Sequence, residues 1–207
     1  MITIVDYGCG NLGSIENMLR KLGADCQISS SVEVLESAER IILPGVGTFD
    51  SGMRGIDDLG LRDVLETKAL SDRVPVLGIC LGAQLMTRGS EEGKLSGLGW
   101  LEEASTVKFS FEQKSPDLPL PNIGWRDIEE VDSVAPFKLP PGEEPARFYF
   151  VHKYHFVAPD GITWMRAEYG YSFACALRQA NLLSVQFHPE KSHRFGMALL
   201  SRFAQMK

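Results

Sequence analysis

Apolar and polar positions along the first ninety residues fall into blocks whose period alternates. Residues 1–5 (MITIV), Cys26–Ser29, Arg40–Leu43 (RIIL) and Val76–Ile79 are short apolar, β-rich runs. Between them apolar residues recur at helical spacing: Leu12, Ile15, Leu19 and Leu22 over residues 12–22, and Leu61, Val64 and Leu65 over residues 59–70. Residues 31–38 add a short helix with Ser31 as its N-cap, and a further helix opens at Ala83. The glycines of residues 52–60 read as loop. The order β-α-β-α-β-α-β-α predicts a mainly parallel central sheet with helices on both faces, an α/β three-layer sandwich. Ligands in such sheets bind beyond the carboxyl ends of the strands. The glycine-rich turns at 8–13 and 44–47 both fall at that end.

The second half has another rhythm. Residues 93–99 are turn-rich, and short β-like runs follow at 104–109, 123–131, 147–151, Thr163–Glu168, 173–177 and 182–187. They predict additional antiparallel or mixed strands closing back on the first half. The proline-rich stretches 116–121 and 140–145 read as loops within one domain, residues 1–207. Residues 192–206 form a terminal helix with Phe195, Leu199 and Phe203 on one face.

Composition narrows the class. The chain of 207 residues is 44% hydrophobic and 23% charged, ordinary values for a globular protein with a full core. A net charge of −6 with no Lys/Arg-rich stripe argues against nucleic acid as a partner. No apolar run approaches the roughly 20 residues of a membrane span, and the MITIVDYGCGN start lacks the basic and apolar regions of a secretory leader. Four cysteines without a C-x-x-C pair suit a reducing cytoplasm and speak against a zinc site, so neither metal nor cofactor is expected.

The candidate chemistry lies in three stretches. Gly78-Ile79-Cys80-Leu81-Gly82 sits where a strand turns into a helix. Glycines two residues to either side let the backbone close around a nucleophile at such an elbow, and the N–H groups of the following helix favour a thiolate. The same residues also fit an inert buried cysteine in a glycine-flanked turn. Val185-Gln186-Phe187-His188-Pro189-Glu190 supplies the base a thiol needs. Pro189 holds His188 extended, so that i and i+2 share a side and Glu190 orients the His188 imidazole. Pro44-Gly45-Val46-Gly47 follows a buried strand and presents backbone amides without obstruction. Gly8-Cys9-Gly10-Asn11-Leu12-Gly13 matches a dinucleotide fingerprint. The stronger signal of the elbow favours a plain glycine-shaped turn there, with Asn11 free to face a partner.

GICLGAQ, PGVG and VQFHPEKS together resemble the triad (class I) glutamine amidotransferases. DYGCGNLGS, PGVGTFDSGM and FYFVHKYH narrow the likeness to glutaminase subunits of imidazole glycerol phosphate synthases, over the whole chain. The resemblance implies Cys80 as nucleophile, His188 as acid and base, and Glu190 as its orienter. It implies an oxyanion hole from the amides of Leu81 and Val46. It implies L-glutamine held by Gln84, Gly47, His152, Lys153 and Tyr154. Ammonia passes, in that family, to a (βα)₈-barrel cyclase subunit, and Asn11, Trp125, Arg126, Tyr149 and Lys191 fall where the two subunits meet. The family also implies that loop 44–47 keeps its amide turned away until the partner docks. One stretch departs from the pattern. Where the family has histidine-x-glycine-tryptophan-asparagine, this chain has Asn122-Ile123-Gly124-Trp125-Arg126. That keeps open a paralogous subunit supplying ammonia for an amidino sugar of a surface polysaccharide. A stand-alone Cys–His hydrolase and a non-catalytic binding protein are the other classes. The 44–47 loop and Gln84 disfavour the first, and the intact triad disfavours the second. Cys9, Cys26 and Cys175 read as small hydrophobes or turn residues, His155 and His193 as structural or exposed, and the pairs Glu129-Glu130 and Glu143-Glu144 as solvated loop charge.

Overall fold

A computed structural model describes residues 1–111, 118–131 and 145–206. Four βα steps build its first half. β1 (Ile2–Val5), β2 (Cys26–Ser29), β3 (Arg40–Leu43) and β4 (Val76–Ile79) pair in parallel. The helices between them are α1 (Leu12–Lys21), α2 (Val32–Glu36), α3 (Phe49–Asp58) and α4 (Arg62–Glu66), and α5 (Leu81–Leu85) follows β4. Ser31 caps α2 as expected, its hydroxyl accepting from the Val34 N–H at 3.3 Å.

The second half extends the same sheet. β11 (Leu182–Val185) lies parallel to β4, so the elbow strand sits between β3 and β11 at the centre. Beyond β11 the sheet turns antiparallel through β10 (Ser172–Gln179), β9 (Thr163–Glu168), β6 (Asn122–Glu130) and β7 (Arg147–His152). β8 (Tyr154–Val157) branches off β10 and pairs with β5 (Ser105–Lys108). α6 (His193–Ala204) closes the chain. β1, β4 and β11 are buried at every position, as strands covered on both faces must be. Two hydrophobic cores flank the sheet, one around Leu19, Ile42, Leu183 and Phe203 and the other around Ile41, Leu43, Met53 and Leu85.

Four readings are corrected. Residues 52–60 are not loop: α3 covers most of them. Its glycines are there for close approach, since a Cβ on Gly55 would lie 2.2 Å from the Tyr7 carbonyl oxygen and one on Gly52 2.9 Å from Leu85. The helix of residues 59–70 is α4 followed by a π-helical turn, Thr67–Ser71. β8 was not foreseen. The helix after the elbow begins at Leu81 rather than Ala83 and is only five residues long. Residues 118–121 carry no helix or strand, in keeping with a loop; residues 116–117 and 140–144, with the Glu143-Glu144 pair, lie outside the described residues.

Candidate active site

Cys80 joins β4 to α5 in a conformation that side chains rarely adopt, φ 51° and ψ −109°. Packing enforces it. The Cys80 N–H donates to the Val185 carbonyl at 2.8 Å, tying the turn to β11. A Cβ on Gly78 would sit 2.6 Å from the Ala83 backbone, and one on Gly82 1.8 Å from the Leu43 carbonyl oxygen. Only hydrogen fits at either glycine, so both flanks of the elbow are dictated by contact with neighbouring backbone. The thiol is 9% exposed and opens on a cleft of about 290 Å³.

His188 reaches the same cleft from the end of β11. Its backbone is extended, φ −103° and ψ 97°, as the following proline requires. Glu190 does not meet it by strand alternation, however. Pro189–Lys191 is a 3₁₀ turn, and this turn brings Glu190 Oε1 to 2.7 Å from His188 Nδ1. A carboxylate only accepts, so Nδ1 carries the proton, and Nε2 is left for the hydrogen bond with Cys80. Burial lowers the basicity of His188, but its hydrogen bonds and charge interactions with Cys80 and Glu190 outweigh that and raise its pKa to about 10. Glu190 Oε2 is buried without a partner among the described residues, so the carboxylate depends on the imidazolium for compensation. Ser192 locks the turn, its hydroxyl donating to the His188 carbonyl at 2.6 Å and accepting from the Tyr149 N–H at 3.0 Å.

The two amides expected in an oxyanion hole do not converge. The Leu81 N–H donates to the Gly45 carbonyl at 3.3 Å. That carbonyl belongs to the same planar trans peptide as the Val46 N–H, which therefore points the opposite way. The loop is held below by Tyr7, whose buried hydroxyl donates to the Pro44 carbonyl. Gly45, where a Cβ would lie 2.2 Å from Tyr7 Oη, has no room for a side chain, and Gly47, at φ 139°, has a backbone conformation that side chains rarely adopt. The turn before α1 abuts it, since a Cβ on Gly10 would lie 3.4 Å from Gly45 Cα.

The expected ligand residues Gly47, Gln84, His152, Lys153 and Tyr154 all line the cleft, with Val46, Leu81 and Lys191. Burial holds His152 neutral and lowers its pKa to about 3, against the raising effect of its hydrogen bond to the Tyr154 carbonyl at 2.8 Å. Its Nε2 thus accepts from Asn122, 2.9 Å away, and Asn122 in turn accepts from Arg126 Nε at 3.0 Å. Trp125, Tyr149 and Lys191 form one surface group: the two rings meet edge to face at 6.1 Å, and Lys191 Nζ lies 5.9 Å over Tyr149. Arg126 points inward instead, its guanidinium 4.8 Å over the Tyr169 ring. Asn11 is exposed in the turn before α1.

Three further residues, Glu92, Gln186 and His193, are given no place at the site or its surface by the sequence. Glu92 lines the cleft and accepts from the Phe49 N–H at 2.9 Å. It lies in a turn-rich segment with no motif to mark it. Gln186 donates toward Cys80 Sγ at 3.7 Å. It stands inside the His188 stretch but carries no charge to draw notice. His193 stacks on Trp125 at 5.6 Å and extends the surface group. Among the described residues no group of His, Cys, Asp and Glu is arranged to hold a metal.

Comparison with known proteins agrees with this geometry. A family model described as glutamine amidotransferase class-I matches residues 3–206. The imidazole glycerol phosphate synthase subunit HisH 2 of Methanococcus maripaludis is 45% identical over 98% of both chains. Subunit HisH of Leptospira interrogans is 44% identical and subunit HisH 2 of Pseudomonas aeruginosa 43%, each over the full length of both chains. A crystal structure of a glutamine amidotransferase shares the fold with a TM-score of 0.73 at 19% identity over all of both chains. One from Thermotoga maritima does so at 0.66 and 17%, covering 99% of this chain and 98% of its own. With a matching model that spans nearly every residue and relatives 43–45% identical end to end, the chain belongs to the class-I glutamine amidotransferases.

Proposed function

We propose that this chain is the glutaminase subunit of an imidazole glycerol phosphate synthase, a single domain that hydrolyses L-glutamine and passes ammonia to a (βα)₈-barrel cyclase subunit. The observation that carries this reading is the buried Cys80–His188–Glu190 array at a strained elbow, in a chain that matches subunits of that name from end to end. Cys80 attacks the side-chain carbonyl of glutamine. His188 protonates the departing ammonia and then activates water against the thioester, while Glu190 keeps its tautomer fixed. Gln84 and Glu92 offer oxygens to the substrate ammonium, and Lys153 with the backbone at Gly47, His152 and Tyr154 completes the site. The four cysteines are free thiols, which supports a cytoplasmic location.

The resting loop explains why such a subunit needs a partner. The Leu81 N–H is occupied by the Gly45 carbonyl, and the Val46 N–H is averted. Turning over the Gly45–Val46 peptide would free the first donor and aim the second, and each is worth roughly 3 kcal/mol in the transition state. Val46 is 57% exposed and Trp125 37%, so both are available to a docking subunit. Asn11, Trp125, Tyr149 and Lys191 make up the partner face in this reading, with Arg126 behind Trp125, bound to its carbonyl and packed over Tyr169. Lys191 belongs both to that face and to the cleft.

A second reading, a paralogue feeding an amidino-sugar pathway, is favoured by one observation. Arg126 is bound to Asn122 and to the Trp125 carbonyl, altering charge beside the expected ammonia exit. Expression in a strain lacking its biosynthetic glutaminase separates the two. Histidine-free growth supports histidine synthesis, and failure despite soluble expression supports the paralogue.

A further inference from the structure

Gln186 is wholly buried, yet its carboxamide is fully committed at both ends. Its Nε2 donates to Cys80 Sγ at 3.7 Å, and its Oε1 accepts from Gln84 Nε2 at 3.0 Å. The backbone on either side is fixed by the sheet, with Gln186 N–H on the Cys175 carbonyl at 2.9 Å and Val185 paired to Ile79. The side chain is therefore delivered to one place, between the nucleophile and a wall of the glutamine cleft.

The direction of this chain of hydrogen bonds is set by the sulfur. A thiolate accepts and cannot donate. Gln186 must then present its NH₂ to Cys80, which turns its oxygen toward Gln84. Gln84 must answer with its own NH₂, so its oxygen is the atom left to face the cleft that it lines. An oxygen at that position accepts from an ammonium group; an NH₂ there would repel one.

From this juxtaposition we infer that Gln186 is a positioning residue that couples the two halves of the site, stabilising the Cys80 thiolate while orienting Gln84 to accept the α-ammonium of glutamine. The substrate part of this inference rests on the glutaminase reading above; the thiolate part does not. Gln186 and His188 are then the side-chain donors to Cys80 Sγ.

The test uses Gln186→Met, which keeps length and bulk but neither donates nor accepts as an amide does. Alkylation of Cys80 by iodoacetamide, followed across pH by mass spectrometry of its peptide, is read on the lone chain and needs neither glutamine nor partner. The expected result is a midpoint raised by about one pH unit, a tenfold loss of thiolate at fixed pH. With the cyclase partner present, the preference for glutamine over glutaramate, which has the same carboxamide and carboxylate without the α-ammonium, should fall about tenfold. Gln84 is then free to turn. Should the methionine variant melt early, Gln186→Glu decides the first arm. It keeps an acceptor for Gln84 and replaces the donor by an acid, and the midpoint should rise again. A well-folded variant whose midpoint stays within 0.3 unit of wild type overturns the thiolate role. A raised midpoint with an unchanged preference for the α-ammonium overturns the coupling. Failure of the wild type to hydrolyse glutamine with any partner would overturn the glutaminase reading and leave the alkylation result to stand by itself.

Discussion

Replacing Glu190 by glutamine changes charge and little else. The amide keeps an oxygen for His188 Nδ1, now 2.7 Å from the carboxylate. The two side chains are 4% and 5% exposed, so solvent screens their attraction weakly. With charge centres about 4 Å apart and an effective dielectric constant near 20, the carboxylate stabilises the imidazolium by about 4 kcal/mol. Its removal would lower the pKa of His188, now about 10, by roughly three units. The imidazole is then only about half protonated at neutral pH, and its support for a thiolate formed at Cys80 is weakened. Glutamate release by the complex should fall by about 10³–10⁴, because the charge is lost and an amide can also hold the imidazole in the wrong tautomer. The assay is kcat for glutamate release across pH, with Cys80 alkylation as a partner-free check. A fall of less than about fivefold, with an unchanged alkylation profile, would refute the claim that Glu190 sets the basicity of His188.

Four other outcomes follow from the same geometry. His152, buried neutral with a pKa of about 3 against an ordinary 6.5, binds fewer protons folded than unfolded between those values. Its contribution to stability is therefore present above pH 6.5 and lost as pH falls toward 3, at up to roughly 1.4 kcal/mol per unit. Urea unfolding of His152→Gln should show a shallower acid limb; an unchanged limb would contradict the assignment. His188 behaves oppositely, its contribution being full below 6.5 and lost as pH rises through about 10, so thermal melts of His188→Asn should differ from wild type least at high pH. Gly82→Ala drives a Cβ to 1.8 Å from the Leu43 carbonyl oxygen and should cost about 3 kcal/mol, seen as a melting point lower by roughly 6–12 °C. Gly45→Ala meets Tyr7 Oη at 2.2 Å and Leu81 Cβ at 2.9 Å, so it should impair partner-stimulated glutaminase by tenfold or more while Cys80 alkylation stays near wild type; equal loss of both would mean that the loop and the elbow move together.

The elbow was readable because its two glycines flank Cys80 in one pentapeptide, even though the contact that demands Gly82, the Leu43 carbonyl, is far away in sequence. The βα order of the first half was readable because β1 and β4 are mostly apolar and buried at every position, and α1 is amphipathic, with Ile15 and Leu19 buried. α3 was misread because glycine marks close approach as well as turns, and the surface that Gly55 approaches, the Tyr7 carbonyl, is far away in sequence. The pairing of His188 with Glu190 was expected for an incomplete reason, a 3₁₀ turn doing what strand alternation was expected to do. Gln186 and Glu92 were missed because their roles come from partners distant along the chain, Cys80 and Gln84 for one and Phe49 for the other. The orientation of the Gly45–Val46 peptide leaves no mark on composition or spacing. It depends on a single hydrogen bond to the Leu81 N–H.

The central claim is that Cys80 carries out glutamine hydrolysis for a partner subunit. It is tested most directly by glutamate release from wild-type chain and from Cys80→Ala, each alone and with a (βα)₈-barrel cyclase and its nucleotide ligand. The account requires slow release by the wild type alone, a rise of at least a hundredfold in the complex, and none from the variant under either condition. Glutamate release by the folded alanine variant in the complex would contradict it.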